Sequence, residues 1–446
     1  MARIASSPVA RLLLAAHGAL AGLTVDVENA DSVKAAAALV AEDLMTLYHG
    51  NETGQTPGIF DSPPAGDYWW WTGSTLWSSL LGYRNRTGDT KYDETISQGL
   101  MFQVGPNNDY MPLNWTASEG NDDQGLWALS AMAAGLYGLP NGGNNNPQWV
   151  DVAKSVFDEQ HMHDRRVDED DCAGALRWQI YPFNKGYDYV NSASNIAFLN
   201  LAAQLAYVTG NKTYADAASD TFDLLSDIGL VTEDFDVYDG AQADDCDVNK
   251  AQFSYDAGLL IQGAAFMYNH TGEDGWRGRL DGLVNRTLDK FFVDGAAFEV
   301  ACEESNRCNT DMYFLKGILL RTLGSAMQVA PHTADKILPV LKSSAKAAAA
   351  QCTGGDNGRM CGFKWASGKF DGKTGPAQQI NVLEALVSVL PAGGATTGSN
   401  SNGTDSGSNG QNTQGSTTDD HQSMGVRSSV SVAALVGSAL LGSLFM

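Results

Sequence analysis

Thr87-Gly88-Asp89-Thr90-Lys91-Tyr92 recurs in this chain as Thr209-Gly210-Asn211-Lys212-Thr213-Tyr214 and again as Thr271-Gly272-Glu273-Asp274-Gly275-Trp276. Each copy follows an apolar stretch of helical period and precedes another. The glycine stops one helix, and the acid or amide after it starts the next. The aromatic three residues later packs back across the corner. Two more junctions, Gly138 to Trp149 and Pro331 to Ala334, do the same work with Gly or Pro. Working outward predicts about twelve helices, beginning near Ser32, Gly73, Tyr92, Asp122, Gln148, Asn191, Tyr214, Gln252, Trp276, Asp311, Thr333 and Pro376. Short turns join the second to the third, and so on in pairs up to the tenth and eleventh. Long segments rich in Gly, Asn, Asp and aromatics separate the pairs. That alternation predicts an all-α fold, an (α/α)6 barrel of six helical hairpins, with the long loops gathered at one end. An open α-solenoid shares the local pattern, but the uneven spacing of the corners argues against it.

The chain has 446 residues and 43% apolar content, enough for a large core. Its formal charge of −24 excludes nucleic acid and an anionic membrane face as partners, because those are bound through Lys and Arg. Both ends read as processing signals. Arg3 and Arg11 precede an apolar run from Leu12 to Leu23 that is too short to span a bilayer, so residues 1–22 are expected to be a signal peptide. Residues 23–391 form the expected (α/α)6 domain. Residues 392–424 contain no aromatic, Leu, Ile or Val, and such a segment cannot bury enough surface to fold. A small-residue site near Gly415-Ser416-Thr417, this polar spacer and the apolar tail from Val430 to Met446 fit a GPI anchor signal over residues 425–446. The mature protein would then hang from the outer leaflet by lipid, at the cell surface. A tail-anchored helix is the rival reading, but it lacks a basic flank.

Secretion makes the six cysteines readable as disulfides. Six allow fifteen pairings. Short loops close most cheaply, which pairs Cys302 with Cys308 and Cys352 with Cys361, leaving Cys172 for Cys246. No His stands among them at metal-ligand spacing, so no metal or cofactor is expected. Sequons at Asn51, Asn85, Asn114, Asn211, Asn269, Asn285 and Asn402 agree with a secretory route.

Asn121-Asp122-Asp123-Gln124 opens the fourth helix, ahead of Leu126, Trp127, Leu129, Met132 and Leu136 at helical spacing. An N-cap needs one side chain, and Asn121 could supply it, so an acid is left over. The helix N-terminus favours one ionised carboxylate, while two so close do not share one pKa. One ionised group beside one protonated group is the requirement of retaining glycoside hydrolysis, at a separation of roughly 5 Å. An inverting enzyme would instead pair Asp123 with Asp256 or Asp311, roughly 6.5–9.5 Å away.

The remaining unusual motifs fall on the same barrel end. They are Tyr68-Trp69-Trp70-Trp71, Leu176-Arg177-Trp178-Gln179-Ile180-Tyr181, Gln252-Phe253-Ser254-Tyr255-Asp256, Asn309-Thr310-Asp311, Lys364-Trp365 and Gln378-Gln379. Aromatics beside fixed donors and acceptors suit a sugar, which stacks one face on a ring. Candidate substrate-binding residues are Trp70, Trp71, Asn121, Gln124, Arg177, Trp178, Tyr255, Asp256, Asp311 and Trp365. Among the three consecutive tryptophans, at least one ring should point into the core.

Together these motifs resemble glycoside hydrolase family 76, in particular its fungal GPI-anchored branch of mannan endo-1,6-α-mannosidases, over roughly Asp26 to Leu390. The resemblance implies an (α/α)6 barrel acting with retention on α-1,6-linked mannose, with Asp122 as nucleophile and Asp123 as acid/base. It also implies a choice of acceptor: water, giving mannan hydrolysis, or a β-1,3-glucan end, giving transfer of a glycan from a GPI mannose core. The chain departs from the family at Ser74-Thr75-Leu76 and at Asp256, where Asn is usual. A carbohydrate-binding protein with an inactive barrel is the alternative, and it would be expected to have lost one acid.

Overall fold

The computed structural model describes residues 22–393 apart from Pro64 and Asp170. The expected signal segment up to residue 21 and everything from 394 onward, with most of the expected linker, the expected anchor signal and the Asn402 sequon, lie outside these residues. Twelve α-helices follow one another: α1 Ala30–Met45, α2 Trp71–Thr87, α3 Asp93–Phe102, α4 Asn121–Leu136, α5 Trp149–His161, α6 Ser192–Thr209, α7 Lys212–Ile228, α8 Ser254–Thr271, α9 Asp274–Lys290, α10 Leu315–Val329, α11 Ala334–Ala349 and α12 Pro376–Val387. The even-numbered helices stand side by side in a closed ring, with α12 against α2, and the odd-numbered ones lie outside. Because α1 packs on α12, the two ends of the domain form the sixth hairpin. This is the (α/α)6 barrel.

Composition explains which helices go inside. The outer α7 and α11 bury one stripe, such as Ala218, Thr221, Phe222 and Leu225 of α7, as amphipathic helices do. The inner α6 is buried continuously from Ser192 to Ala206. Its polar residues must therefore find partners on neighbouring inner helices. Ser78 Oγ meets Ser130 Oγ at 2.8 Å between α2 and α4. Asn200 donates to Gln262 at 2.9 Å, and Gln262 donates to Ser325 at 3.0 Å, tying α6 to α8 to α10. The Gly317 N–H donates to Asn381 at 2.8 Å, joining α10 to α12.

The corner motif works as its residues suggest. Gly88, Gly210 and Gly272 adopt φ of 79, 69 and 70°, the left-handed conformation that glycine reaches without strain. The preceding threonine gives its hydroxyl to the carbonyl four residues back and accepts the N–H two residues ahead, identically in all three copies.

Two small sheets were not legible in the sequence. Strands β1 Tyr189–Asn191, β2 Gly240–Gln242 and β3 Val248–Asn249 form an antiparallel sheet before α6 and α8, and β4 Phe292–Val293 pairs with β5 Ala296–Ala297. Strands of two or three residues carry no readable alternation. The disulfides join Cys172 to Cys246, Cys302 to Cys308 and Cys352 to Cys361. Among the described residues, no helix is long and apolar enough to cross a membrane.

Candidate active site

The long loops meet where the inner helices begin, and α4 supplies the centre. Gly120 precedes the helix in an extended conformation, and its N–H donates to Asp123 Oδ2 at 2.8 Å. A Cβ at residue 120 would run into Asp122 Oδ1, so only glycine leaves that carboxylate its place. Asp123 N–H donates to Asp122 Oδ1 at 2.9 Å, and Asn191 Nδ2 donates to Asp122 Oδ2 at 2.8 Å. Both oxygens of Asp122 are thus held, while Asp123 keeps Oδ1 clear of these bonds. Each side chain is surrounded by protein yet keeps part of its surface open to the cleft.

Their surroundings separate the two acids. Burial raises the Asp122 carboxyl to about 6, and the hydrogen bonds from Asp123 N–H, Asn191 and Trp178 restrain the rise. Burial and the charge of Asp122 push Asp123 well above the usual carboxylate range, and Asp311 adds to this. At neutral pH Asp122 is ionised and Asp123 holds its proton.

Around this pair lies a cleft of about 550 Å³. Trp69, Trp71, Trp115 and Trp178 form its aromatic walls, and Asp239, Asp311 and Glu119 add acids. The Trp71 indole donates to Asp311 Oδ1 at 3.2 Å. Acidic groups between flat rings form a groove for a neutral, hydroxyl-rich chain.

The sequence profile of "Glycosyl hydrolase family 76" matches residues 32–400. The chain belongs to glycosyl hydrolase family 76. It is 39% identical over 367 residues to the mannan endo-1,6-alpha-mannosidase DCW1 of Saccharomyces cerevisiae, covering 81% of this chain and 80% of that protein. The crystal structure of Dfg5 from Chaetomium thermophilum, in complex with glucosamine, superimposes with a TM-score of 0.80 at 43% identity, covering 84% and 95% of the two chains. The α-1,6-mannanase GH76A of Salegentibacter shares the fold, with a TM-score of 0.64 at 17% identity over 80% of this chain and 98% of that one.

In this family 76 glycosyl hydrolase, the structure brings Trp70, Trp71, Trp178, Tyr255 and Asp311 to the cleft beside Asp122 and Asp123. Trp70 offers only an edge. It is 3% exposed, stacks on Trp127 with centroids 5.0 Å apart, and donates its indole N–H to Gln103. It is the inward ring of the tryptophan triplet, while Trp69 is 53% exposed.

Five other expected contacts are not in the cleft wall, each for a visible reason. Asn121 is not the cap. It is the first residue of α4, buried, and clamps the 176–179 loop: its N–H donates to Trp178 O at 2.8 Å and its Nδ2 to Arg177 O at 2.9 Å. The capping expected of Asn121 falls to Asp123. Gln124 is buried and donates to Asp109 O and Glu159. Arg177 points along its own loop, donating to Tyr187 O with its guanidinium 4.5 Å from that ring. Asp256 is buried and outside the cleft that Tyr255 lines, and among the described residues neither of its oxygens is paired. Trp365 is a core residue, 1% exposed, and its ring lies 4.4 Å from the buried Lys316 ammonium.

Sequence reasoning missed Asn191, Glu119, Trp115 and Asp239. Asn191 read only as a helix start. Glu119 stands two residues before Gly120's neighbour Asn121, and its position was a signal that could have been used. Asp239 reaches the cleft through β2, where Tyr189 Oη donates to its Oδ2 at 2.5 Å and Asn249 donates at 2.8 Å. Of the sequons within the described residues, Asn51, Asn114, Asn211, Asn269 and Asn285 are exposed, and Asn85 is half-buried.

Proposed function

We propose that this chain is a retaining, endo-acting glycosidase or transglycosidase for α-1,6-linked mannose. The observation that carries the reading is the unequal environment of two adjacent carboxyls at one helix start. Asp122, ionised and held at both oxygens, attacks the anomeric carbon. Asp123, protonated, gives its proton to the leaving oxygen, so that the glycosidic bond breaks as the ester to Asp122 forms. The ionised Asp123 then takes a proton from the acceptor, whose oxygen displaces Asp122. Gly120 N–H holds Asp123 Oδ2 through both steps, leaving Oδ1 for the transfer. Rings at Trp69, Trp71 and Trp178 give a pyranose chain its stacking surfaces.

The relatives support the substrate class. The yeast relative is named a mannan endo-1,6-alpha-mannosidase. The Salegentibacter mannanase, with two adjacent aspartates replaced, is described as inactive and in complex with α-1,6-mannotriose. An inactive carbohydrate-binding barrel is disfavoured because both acids face the cleft. Of the two acids expected as partners of Asp123 for inversion, Asp256 is not in the cleft wall and Asp311 is.

The processing signals read at the two ends support a place at the cell surface, on a GPI lipid in the outer leaflet. There the mannose core of GPI anchors is the available donor, and wall β-1,3-glucan is an available acceptor. The test is incubation with an α-1,6-mannosyl donor and a β-1,3-glucan oligosaccharide, followed by mass spectrometry and by NMR of the first product. An α anomer supports retention, and a β anomer overturns it. A mannosyl-glucan adduct assigns transfer, and new reducing mannose ends alone assign hydrolysis.

A further inference from the structure

The barrel has a second opening. Where the inner helices end, away from Asp122, a cavity of about 360 Å³ enters between them. Among the described residues, three buried polar atoms on its wall have no partner: Glu384 Oε2, Ser388 Oγ and Gln328 Nε2. Buried polar groups left unpaired are costly, so these call for a partner beyond the described residues. Tyr207 and Phe266 give the same cavity an apolar side. A small pocket that is part apolar and part hydrogen-bonding suits a sugar ring.

The corner motif places two sequons there. In Asn85-Arg86-Thr87-Gly88 and Asn269-His270-Thr271-Gly272, a sequon asparagine stands three residues before the left-handed glycine that ends an inner helix. In the third copy Tyr207 holds that place. All three residues line this lower mouth, and α2 and α8 lie opposite each other in the ring. Asn269 is exposed, and its Nδ2 points across the rim to the Val329 carbonyl at 2.7 Å. The sequons at Asn51, Asn211 and Asn285 line neither cavity.

We infer that an N-linked glycan on Asn269 seats its first N-acetylglucosamine in the lower mouth, with a glycan on Asn85 closing the opposite rim. Attachment joins Nδ2 to the anomeric carbon of a lipid-pyrophosphate oligosaccharide. The pyrophosphate leaves, one amide proton is lost, and the remaining N–H stays available for Val329 O. The ring lies against Tyr207 and Phe266, and its hydroxyl and acetamide groups pair with Gln328 and its neighbours. The seat depends on passage through the secretory route and not on the roles of Asp122 and Asp123, so each can fail without the other.

The test uses the secreted protein, mapped by glycopeptide mass spectrometry, with melting temperatures for Asn269→Gln, Asn85→Gln and the control Asn51→Gln. Occupied Asn269, a fall of roughly 2–4 °C in the first two variants, no change in the control and unchanged turnover are expected. Trimming the native glycans to one N-acetylglucosamine should leave the melting temperature intact, because the first ring is the seated part. Wild-type chain made with N-glycosylation blocked retains the Asn269–Val329 bond and should melt as low as Asn269→Gln. An unoccupied Asn269, an Asn269→Gln variant that melts with wild type, or trimming as damaging as Asn269→Gln would each overturn the inference.

Discussion

Asn191 donates its side-chain amide to Oδ2 of Asp122 across 2.8 Å, from sixty-nine residues further along the chain. The same residue closes β1, and its Oδ1 accepts the Ser194 N–H to cap α6. One asparagine therefore fixes the start of an inner helix against the carboxylate that the proposed mechanism uses. A hydrogen bond to a charged group contributes about 1.5–3 kcal/mol. Asn191→Ala should lower kcat by roughly 10- to 150-fold with a smaller change in KM. It should also move the acidic limb of the pH–rate profile upward, since losing the donor makes Asp122 harder to ionise. An unshifted limb would reduce Asn191 to a helix cap.

Replacing either acid should stop turnover without unfolding the barrel. Asp122→Asn and Asp123→Asn both leave side chains of the same shape facing the cleft, so circular dichroism should stay native. Retention of more than about a tenth of the wild-type rate, a barrier change under roughly 1.4 kcal/mol, would remove the assigned role from that residue.

The pH dependence of kcat/KM follows from the same pair. Asp122 must be ionised, and its carboxyl titrates at about 6, so the rate should fall as pH drops below that value. Asp123 must be protonated, and its raised carboxyl holds the proton to higher pH, so the rate should fall again on the alkaline side. A rate independent of pH from 4 to 7 would contradict the assignment of Asp122 as the ionised group.

Two buried acids without partners among the described residues should couple stability to pH. Burial pushes Glu119 up to about 10 and Asp256 well above its usual range, and among the described residues neither pairs any oxygen. The folded chain therefore keeps protons that the unfolded chain releases above the usual carboxylate range, and stability falls as pH rises through that window. Glu119→Gln and Asp256→Asn remove this proton linkage. Relative to wild type, both should melt higher at pH 8 than at pH 4, and Asp256→Asn, which lies outside the cleft wall, should keep native-like turnover at pH 7. Thermal scans at the two pH values decide it.

Trp365→Ala should behave as a core mutation. The side chain is buried beside Phe363 and the Lys316–Glu303 ion pair of 2.9 Å, so truncation should cost about 3–5 kcal/mol. KM should stay within error of wild type in the variant that remains folded. A raised KM with unchanged melting temperature would return Trp365 to the substrate.

Local chemistry alone determined the barrel. The Thr-Gly-x corner is written in consecutive residues, because a left-handed glycine and a capping side chain act within one turn. Alternating short and long connections then leave few ways to arrange six hairpins. The tandem acids Asp122 and Asp123 were legible for the same reason, as neighbours at one helix start. Tertiary structure decided which polar residues face the cleft. Asn121, Gln124 and Asp256 have the same composition and the same helix-start positions as true lining residues. Asn121 and Gln124 turn inward because closing the ring creates buried backbone and side-chain groups that need partners, and Asp256 is buried beneath the cleft surface that Tyr255 lines. Asn191 and Asp239 reach the site only through pairing of β1 with β2, two strands fifty residues apart. That contact depends on how the loops fold over the barrel mouth, and no spacing along the chain encodes it.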